Sequence, residues 1–485
     1  MSKIVILGAG ISGHVAASHL RRKLSKDHEV IVVSPNSNYQ WVPSNIWVGI
    51  GRMKPKDILF PLAPLYKKKG IGYKQAKVMT FHPEGDQELD KPYVMIEYVD
   101  AEHTGKKEKV TYDYLINGTG PKLNFEATEG LIPGKNKAYS VCTYHHADKA
   151  WSALNELIQQ MKQGKKSKIL IGTGHAKSTC QGAAFEYILN VEKELRRHNV
   201  RDMAEITWIA NEHDLGDFGM DGVLMSYGSL TMKSKEMVEM VFEDRDIKWI
   251  LGAGIYKIED GLAHYETLDG TYKTENYDFA MLIPVFSGHG FKAFDKNNSD
   301  ITNTLFKGFM IVDADYSSKP YEKWSVKDWP ETYQNPTYKN IFAPGIAFAP
   351  PHSISKPRKS KNGTDIFPSP PRTGMPSGIT AKIVADNIID SIKNGTESLR
   401  HKGSMGNMGA ACIASAGYGM STGSGISITT YPIVPDFEKY PKTHGRKLGK
   451  TFGEIGLAGH WLKLALHYAF LYKAKMRPFW WLIPE

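Results

Sequence analysis

KIVILGAGISGHVAASHL, residues 3–20, is the stretch that decides the fold. An apolar run, KIVIL, leads into Gly8, Gly10 and Gly13, and a helical pattern follows. Glycines at this spacing allow a sharp turn and let a pyrophosphate approach the helix N-terminus. A lone G-x-G-x-x-G says little, but set between a strand and a helix it predicts a dinucleotide-binding βαβ unit. EVIVV, residues 29–33, supplies the next strand. An acidic residue at its end would normally hold the adenosine ribose; here Ser34, Pro35 and Asn36 follow, and a serine hydroxyl can take that bond.

A second stretch, IGTGHAKSTCQGAAFEY, residues 171–187, opens in the same way and then departs. Gly172 and Gly174 follow an apolar strand, but Lys177 stands where the third glycine belongs. A lysine there hinders close helix–strand packing. The strand EITWIA comes next, with Asn211 and Glu212 at its end, and YDFAMLIP echoes the earlier YDYLINGTG. The reading is an α/β chain with two Rossmann-like units, the second set inside the first and no longer binding a nicotinamide nucleotide. The expected boundaries are 1–135, 136–290, a return to the first unit over 291–435, and a terminal attachment region over 436–485. Cys180 sits where a nucleotide loop has lost its pattern; a thiol site and a small buried cysteine are both open readings there.

The chain has 485 residues, a net charge of +10 and only three cysteines, Cys142, Cys180 and Cys412. They lie far apart with no C-x-x-C pair, so neither a zinc site nor a structural disulfide framework is expected, and no metal is assigned. Three separated cysteines can still converge as a redox pair and a spare thiol. The basic balance suits an anionic substrate or lipid surface; nucleic acid is not expected, because no DNA- or RNA-binding module appears. No secretory signal is visible, and no apolar run reaches the roughly 18 residues of a spanning helix.

Other stretches support this plan. An aromatic and proline-rich segment after residue 37 is expected to cover the cofactor, and AKVMTFHP, with Val78, to return to the first sheet. Thr119, Gly120 and Pro121 close a strand as a second nucleotide-contact turn, and NIFAPG ends at Gly345. Arg372, Thr373 and Gly374 open a helix whose amides can face a flavin carbonyl. Residues 352–372, rich in Lys, Ser and Pro, read as a flexible loop, and 316–340 as a surface insertion. In YSVCTYHHADKAW, His145 and His146 follow Cys142 at a helix start, and only one of them can face it.

At the C-terminal end, Leu457, Trp461, Leu464, Tyr468, Leu471 and Tyr472 step by three or four, while His460, Lys463 and His467 fall opposite. From Asp436 onward there are nine basic and four acidic residues, and Phe479, Trp480 and Trp481 follow the helix. This pattern predicts an amphipathic helix lying in a lipid bilayer surface. Packing of the stripe on the core or on a twin subunit is the alternative.

Together, GAGISG, the PSN turn with Pro43, TGP, VCTYHHADKA, STCQGAAFE, NIFAPG, RTG and AACIAS resemble the sulfide:quinone oxidoreductase family of two-dinucleotide-domain flavoproteins. The resemblance runs along nearly the whole chain. It implies an FAD cofactor, hydrogen sulfide as substrate, membrane quinone as acceptor, and a homo-oligomer held peripherally on the cytoplasmic membrane. It implies that Cys180 and Cys412 are the redox pair beside the flavin, and that Cys142 matches a cysteine joined to the flavin's 8-methyl group in some members. Glu186 matches a proton-accepting carboxylate and His146 a histidine tied to quinone reduction. A thiolate in the pair is expected to be held down in pKa by nearby positive charge. The chain departs from the family at Ile346, where members usually carry Asp after the glycine, so backbone or water must supply that contact. A type II NADH:quinone dehydrogenase, the flavoprotein subunit of a cytochrome-linked sulfide dehydrogenase and a non-catalytic flavin scaffold remain alternatives.

Overall fold

The computed structural model describes residues 1–371, 374–396, 398–417 and 420–485. Its first sheet is parallel throughout, in the order Ile341–Phe342, Tyr114–Asn117, Lys3–Leu7, Glu29–Val33, Gly72–Lys74. Ile4, Val5, Ile6 and Leu7 are wholly buried, as strands covered on both faces must be. Each such side chain contributes about 1.5–3 kcal/mol on burial. Helix Ile11–Lys23 follows the glycine turn and packs along helix Gly374–Asn394.

The second sheet repeats this layout, in the order Ala138–Tyr139, Phe279–Ile283, Ser167–Thr173, Ala204–Ile209, Ile247–Ile250, again all parallel. The chain rejoins the first sheet at Ile341–Phe342 only after the second is complete. A third sheet runs Leu230–Lys233, Leu224–Tyr227, Phe452–Gly456, Ser424–Thr430, Ala410–Ala416. Its edge strand carries Cys412 and lies against helix Gln181–Arg197 and helix Leu457–Ala474.

Three expectations are corrected. The strand bearing Val78, Ala76–His82, does not return to the first sheet; it forms an antiparallel meander with Tyr93–Tyr98 and Lys107–Thr111. Gly72–Lys74 takes the free edge instead, because it emerges from helix Leu62–Lys69 and so arrives parallel after a crossover. The described part of that segment, 352–371, is not a loose loop: Ile354, Ser355, Ile366 and Phe367 are buried, and the lysines point away, while Arg372 lies outside the described residues. The terminal helix does not present its whole apolar stripe on one face. Leu471 is buried with His460, His467 and Ala474, whereas Trp461, Leu462, Tyr468 and Tyr472 are exposed. The polar positions turn inward because partners wait there: Ser415 Oγ for His460 at 2.7 Å and Ser44 Oγ for His467 at 2.8 Å.

Candidate active site

The glycine turns gather at one end of the first sheet. Gly8 has φ +91°, and a Cβ there would strike the backbone of Gly118 and Thr119, so only glycine closes this turn. A Cβ on Gly13 would meet the Gly8 carbonyl, whereas one on Gly10 would meet nothing within 4 Å. Open space lies where a pyrophosphate would approach, and the flanking glycines are packed tight, which fits a bound dinucleotide. Segments far away in sequence line the same cradle. Gly345 abuts Ser12, a Cβ on Gly374 would lie 2.9 Å from Ile11 Cδ1, and one on Gly120 would lie 3.9 Å from Ile346 Cγ1. Thr119 Oγ1 donates to Asn117 Oδ1 at 2.8 Å, and the Gly345 amide donates to Thr380 Oγ1 at 2.8 Å. Ser34 is buried at the end of its strand and accepts from the Asn36 amide at 3.3 Å. Pro43 is half-buried in the Val42–Ser44 turn. Val78 lies in the meander strand Ala76–His82, whose first amide donates to the Ser34 carbonyl at 3.1 Å, and Arg372 and Thr373 lie outside the described residues.

The matching turn of the second sheet is filled by the chain itself. In the first unit the helix begins at Ile11, directly after Gly10; here it begins only at Gln181, after the loop 174–180. Asn211 Nδ2 donates to the carbonyls of Ala176 and Ser178, both at 3.0 Å. Phe367 N donates to Ala176 O at 3.1 Å, and Ser369 Oγ to Lys177 O at 2.8 Å. Lys177 Nζ lies 3.2 Å from the Phe367 ring centroid, and burial brings its pKa down to about 8. Glu212, at the ribose-binding position, is buried and accepts from Trp208 Nε1 at 3.2 Å and the Phe218 amide at 3.3 Å. Burial and then Asp217 push it up to about 8.

The loop instead delivers a thiol. Cys180 caps helix Gln181–Arg197 with φ +66°, a strained left-handed conformation for a residue with a Cβ. Gly182 follows in the first turn, and a Cβ there would lie 2.8 Å from Cys412 Sγ. Cys180 also acts electrostatically on both other thiols. The three cysteines therefore share one neighbourhood, each partly buried and each a free thiol. Cys142 sits just before helix Tyr144–Lys162, with its amide on Ser140 Oγ at 3.1 Å. The expectation of a depressed thiol pKa in the pair does not hold for Cys412, and Cys142 shifts upward as well. Burial pushes Cys142 up to about 12 and Cys412 up to about 11; Lys463 pulls Cys412 down and Glu186 and Cys180 push it up, but burial is the largest effect.

Glu186 lies one turn and a half along the helix from Cys180, buried. It accepts from the Ser415 amide at 3.2 Å and from Lys463 Nζ at 3.0 Å. Burial raises its pKa, and Lys463 opposes that rise. Lys463 also donates to Ile413 O at 3.3 Å, next to Cys412. His146 lies in the first turn of helix Tyr144–Lys162, four residues after Cys142. It packs edge-on against Phe125 with ring centroids 5.4 Å apart, its Nδ1 has no hydrogen-bond partner, and burial lowers its pKa. His145 is exposed. Among the described residues no group of three His, Cys, Asp or Glu could hold a metal.

Sequence reasoning missed Gly182 and Lys463 as site residues. Gly182 carried a usable signal, a glycine inside the first turn of a helix and two residues beyond a candidate thiol. Lys463 carried none beyond lying on the polar side of the terminal helix.

The pyridine nucleotide-disulphide oxidoreductase family matches residues 2–184. The sulfide-quinone reductase of Aquifex aeolicus is 28% identical over 472 residues, covering 97% of this chain and 91% of that protein. The mitochondrial sulfide:quinone oxidoreductase of Dictyostelium discoideum is 25% identical over 349 residues, covering 71% and 65%. The X-ray structure of the Aquifex aeolicus sulfide:quinone oxidoreductase superposes with a TM-score of 0.73 at 27% identity, covering 98% of this chain and 92% of that one. Along nearly its whole length, and in fold, the chain is similar to the sulfide-quinone reductases, and its first 184 residues carry the match to the pyridine nucleotide-disulphide oxidoreductase family.

Proposed function

We propose that this chain oxidises hydrogen sulfide at a Cys180–Cys412 pair and passes the electrons through FAD to a membrane quinone. The carrying observation is that Cys412 Sγ lies against Gly182, two residues from Cys180, although the cysteines are 232 positions apart. When the two are bridged, hydrosulfide attacks one sulfur. A new S–S bond forms, the old one breaks, and the other cysteine leaves as a thiolate, so sulfide gives up the two electrons that the disulfide gains. The N-terminus of helix Gln181–Arg197 and Lys463 favour that thiolate. Glu186, held between the Ser415 amide and Lys463, receives the proton of the incoming sulfide.

FAD, when bound, supplies the two-electron oxidation that restores the pair and the reducing power handed to quinone. Gly8, Gly10 and Gly13 would hold its pyrophosphate, Ser34 its ribose, and the Thr119–Gly120–Pro121 and Gly345 turns, with residues Thr373 and Gly374, the remainder. Cys142 is the candidate for a covalent link. His146, at the start of helix Tyr144–Lys162, is the candidate for relaying a proton toward quinone, taking one up and passing it on. On this reading 1–135 and 291–435 bind the flavin, 136–290 presents Cys180, and 436–485 seats the enzyme on the bilayer, in an assembly of several copies. No helix among the described residues is long and apolar enough to cross a membrane. The support for surface docking is an outward row of Trp461, Leu462, Tyr468, Tyr472, Phe479, Trp481 and Leu482, between 36% and 72% exposed, beside Lys475 and Arg477.

The NADH-oxidising alternative has against it a second nucleotide turn occupied by the chain's own atoms. The NDH2 of Plasmodium falciparum shares the fold alone, with a TM-score of 0.63 at 13% identity. The test is an anaerobic titration of the FAD-loaded protein. Sulfide should bleach the flavin band and decylubiquinone should restore it. Bleaching by NADH, with none by sulfide, overturns the proposal.

A further inference from the structure

A cavity of about 210 Å³ lies between helix Gln181–Arg197 and two strands, Ala410–Ala416, which carries Cys412, and Ser424–Thr430. Its floor is apolar and buried: Leu189, Ala414 and Ile426. Side chains alternate along a strand, so Ala414 and Ala416 share the face of Cys412, and Ala414 stands about 7 Å along the strand from it. Gly182, Leu189, Lys193 and Arg196 follow one another down the facing side of the helix. The floor thus begins two residues along the strand from Cys412.

The rim is cationic. Lys193, Arg196 and Arg245 line it, with Glu192 and Asp244. The Glu192 carboxylate is buried, bonded by Arg196 and lying 3.7 Å from Arg201, so two cations already attend it. Asp244 is 71% exposed and pairs with Arg245 at 2.8 Å. Lys193 has no carboxylate within ion-pair distance among the described residues. The site therefore carries excess positive charge at its mouth and apolar walls within. A chain of sulfur atoms is apolar and polarisable along its length and anionic at its end.

We propose that this cavity is the anionic-sulfur vestibule of the enzyme, where Lys193 holds the charged end of a hydrosulfide or polysulfide whose body lies toward Cys412. The inference rests on the sulfide-oxidising reading and adds a binding site to it.

Two measurements test it. In the FAD-loaded Cys142→Ser/Cys180→Ser/Cys412→Ser protein, which has no thiol left to exchange sulfur with its ligand, sodium tetrasulfide binding is followed by titration calorimetry. Lys193→Glu should weaken binding at least tenfold and Lys193→Gln should fall between. Equal affinity in all three overturns the inference. In the FAD-loaded protein with its cysteines intact, Lys193→Glu should raise the KM for sulfide if hydrosulfide enters here, or relieve tetrasulfide inhibition if the product leaves here, with kcat for quinone reduction unchanged. Neither change, in a wild-type protein that turns sulfide over, removes the vestibule and leaves the proposed function standing. A wild-type protein that does not turn sulfide over removes the function, while the calorimetry still decides the site.

Discussion

Replacing Gly182 with alanine tests the thiol geometry with a single methyl group. The added carbon would sit 2.8 Å from Cys412 Sγ, whereas ordinary contact begins at 3.4 Å, so the sulfur must move by about 0.6 Å or more. It must move away from the helix whose first residue follows Cys180. An S–S bond of about 2.05 Å with a restricted dihedral tolerates little such displacement. Stability should change little. Alanine gains up to about 1 kcal/mol of helix propensity, and the overpacked contact costs about 1–3 kcal/mol. The melting temperature should therefore fall by only a few degrees. Activity should fall far more, because a misplacement near 1 Å at a reacting centre costs on the order of 10²-fold. The assay is sulfide-dependent decylubiquinone reduction at matched FAD content, with the rate of Cys180–Cys412 disulfide formation as a second readout. A Gly182→Ala protein with wild-type turnover and wild-type disulfide closure would refute the placement of these two sulfurs.

Three further outcomes are expected. Lys463→Met leaves the buried Glu186 without its cation and should destabilise the fold by about 3 kcal/mol in urea titration, with the acid limb of the sulfide-oxidation pH profile moving upward. Trp461→Ser/Tyr468→Ser removes outward side chains, so flotation with anionic vesicles should be lost with the melting temperature unchanged; Leu471→Ala, on the inward face, should instead cost about 2–5 kcal/mol. Glu212 has a folded pKa of about 8 against its ordinary 4.5, so the folded state keeps a proton that the unfolded chain has lost across that window. Stability then declines as pH rises through it, and Glu212→Gln, which cannot ionise, should be the more stable protein at pH ~9 by on the order of 3 kcal/mol. Denaturant midpoints measured at both ends of the window decide it.

Much of this was legible before any coordinates. The glycines at 8, 10 and 13 specify a turn by local geometry alone, and the apolar runs beside them specify strands buried on both faces. Those signals are short-range, so they survive in a string of letters. The departure at Lys177 also marked the second turn correctly as unlike the first, although the agent that fills it, the 366–370 segment, lies nearly 190 residues downstream.

What the letters could not decide was which face of an element meets which partner. Residues 352–372 have a loop's composition and still bury Ile354, Ile366 and Phe367, because the lengthened turn at 174–180 leaves a surface for them to cover. The terminal helix reads as an apolar stripe with polar residues opposite, and only the packed structure shows the polar side turned inward onto Ser44, Ser415 and Glu186. Sequence by itself determined the two dinucleotide-type frameworks and the candidate thiols. Tertiary structure decided that Cys142, Cys180 and Cys412 share one neighbourhood, that burial raises the pKa of Cys142 and Cys412, and that a lysine from the far end of the chain opposes the rise at Cys412. Such effects depend on distance through space and on exclusion of water, and neither quantity is encoded in the spacing of residues along the chain.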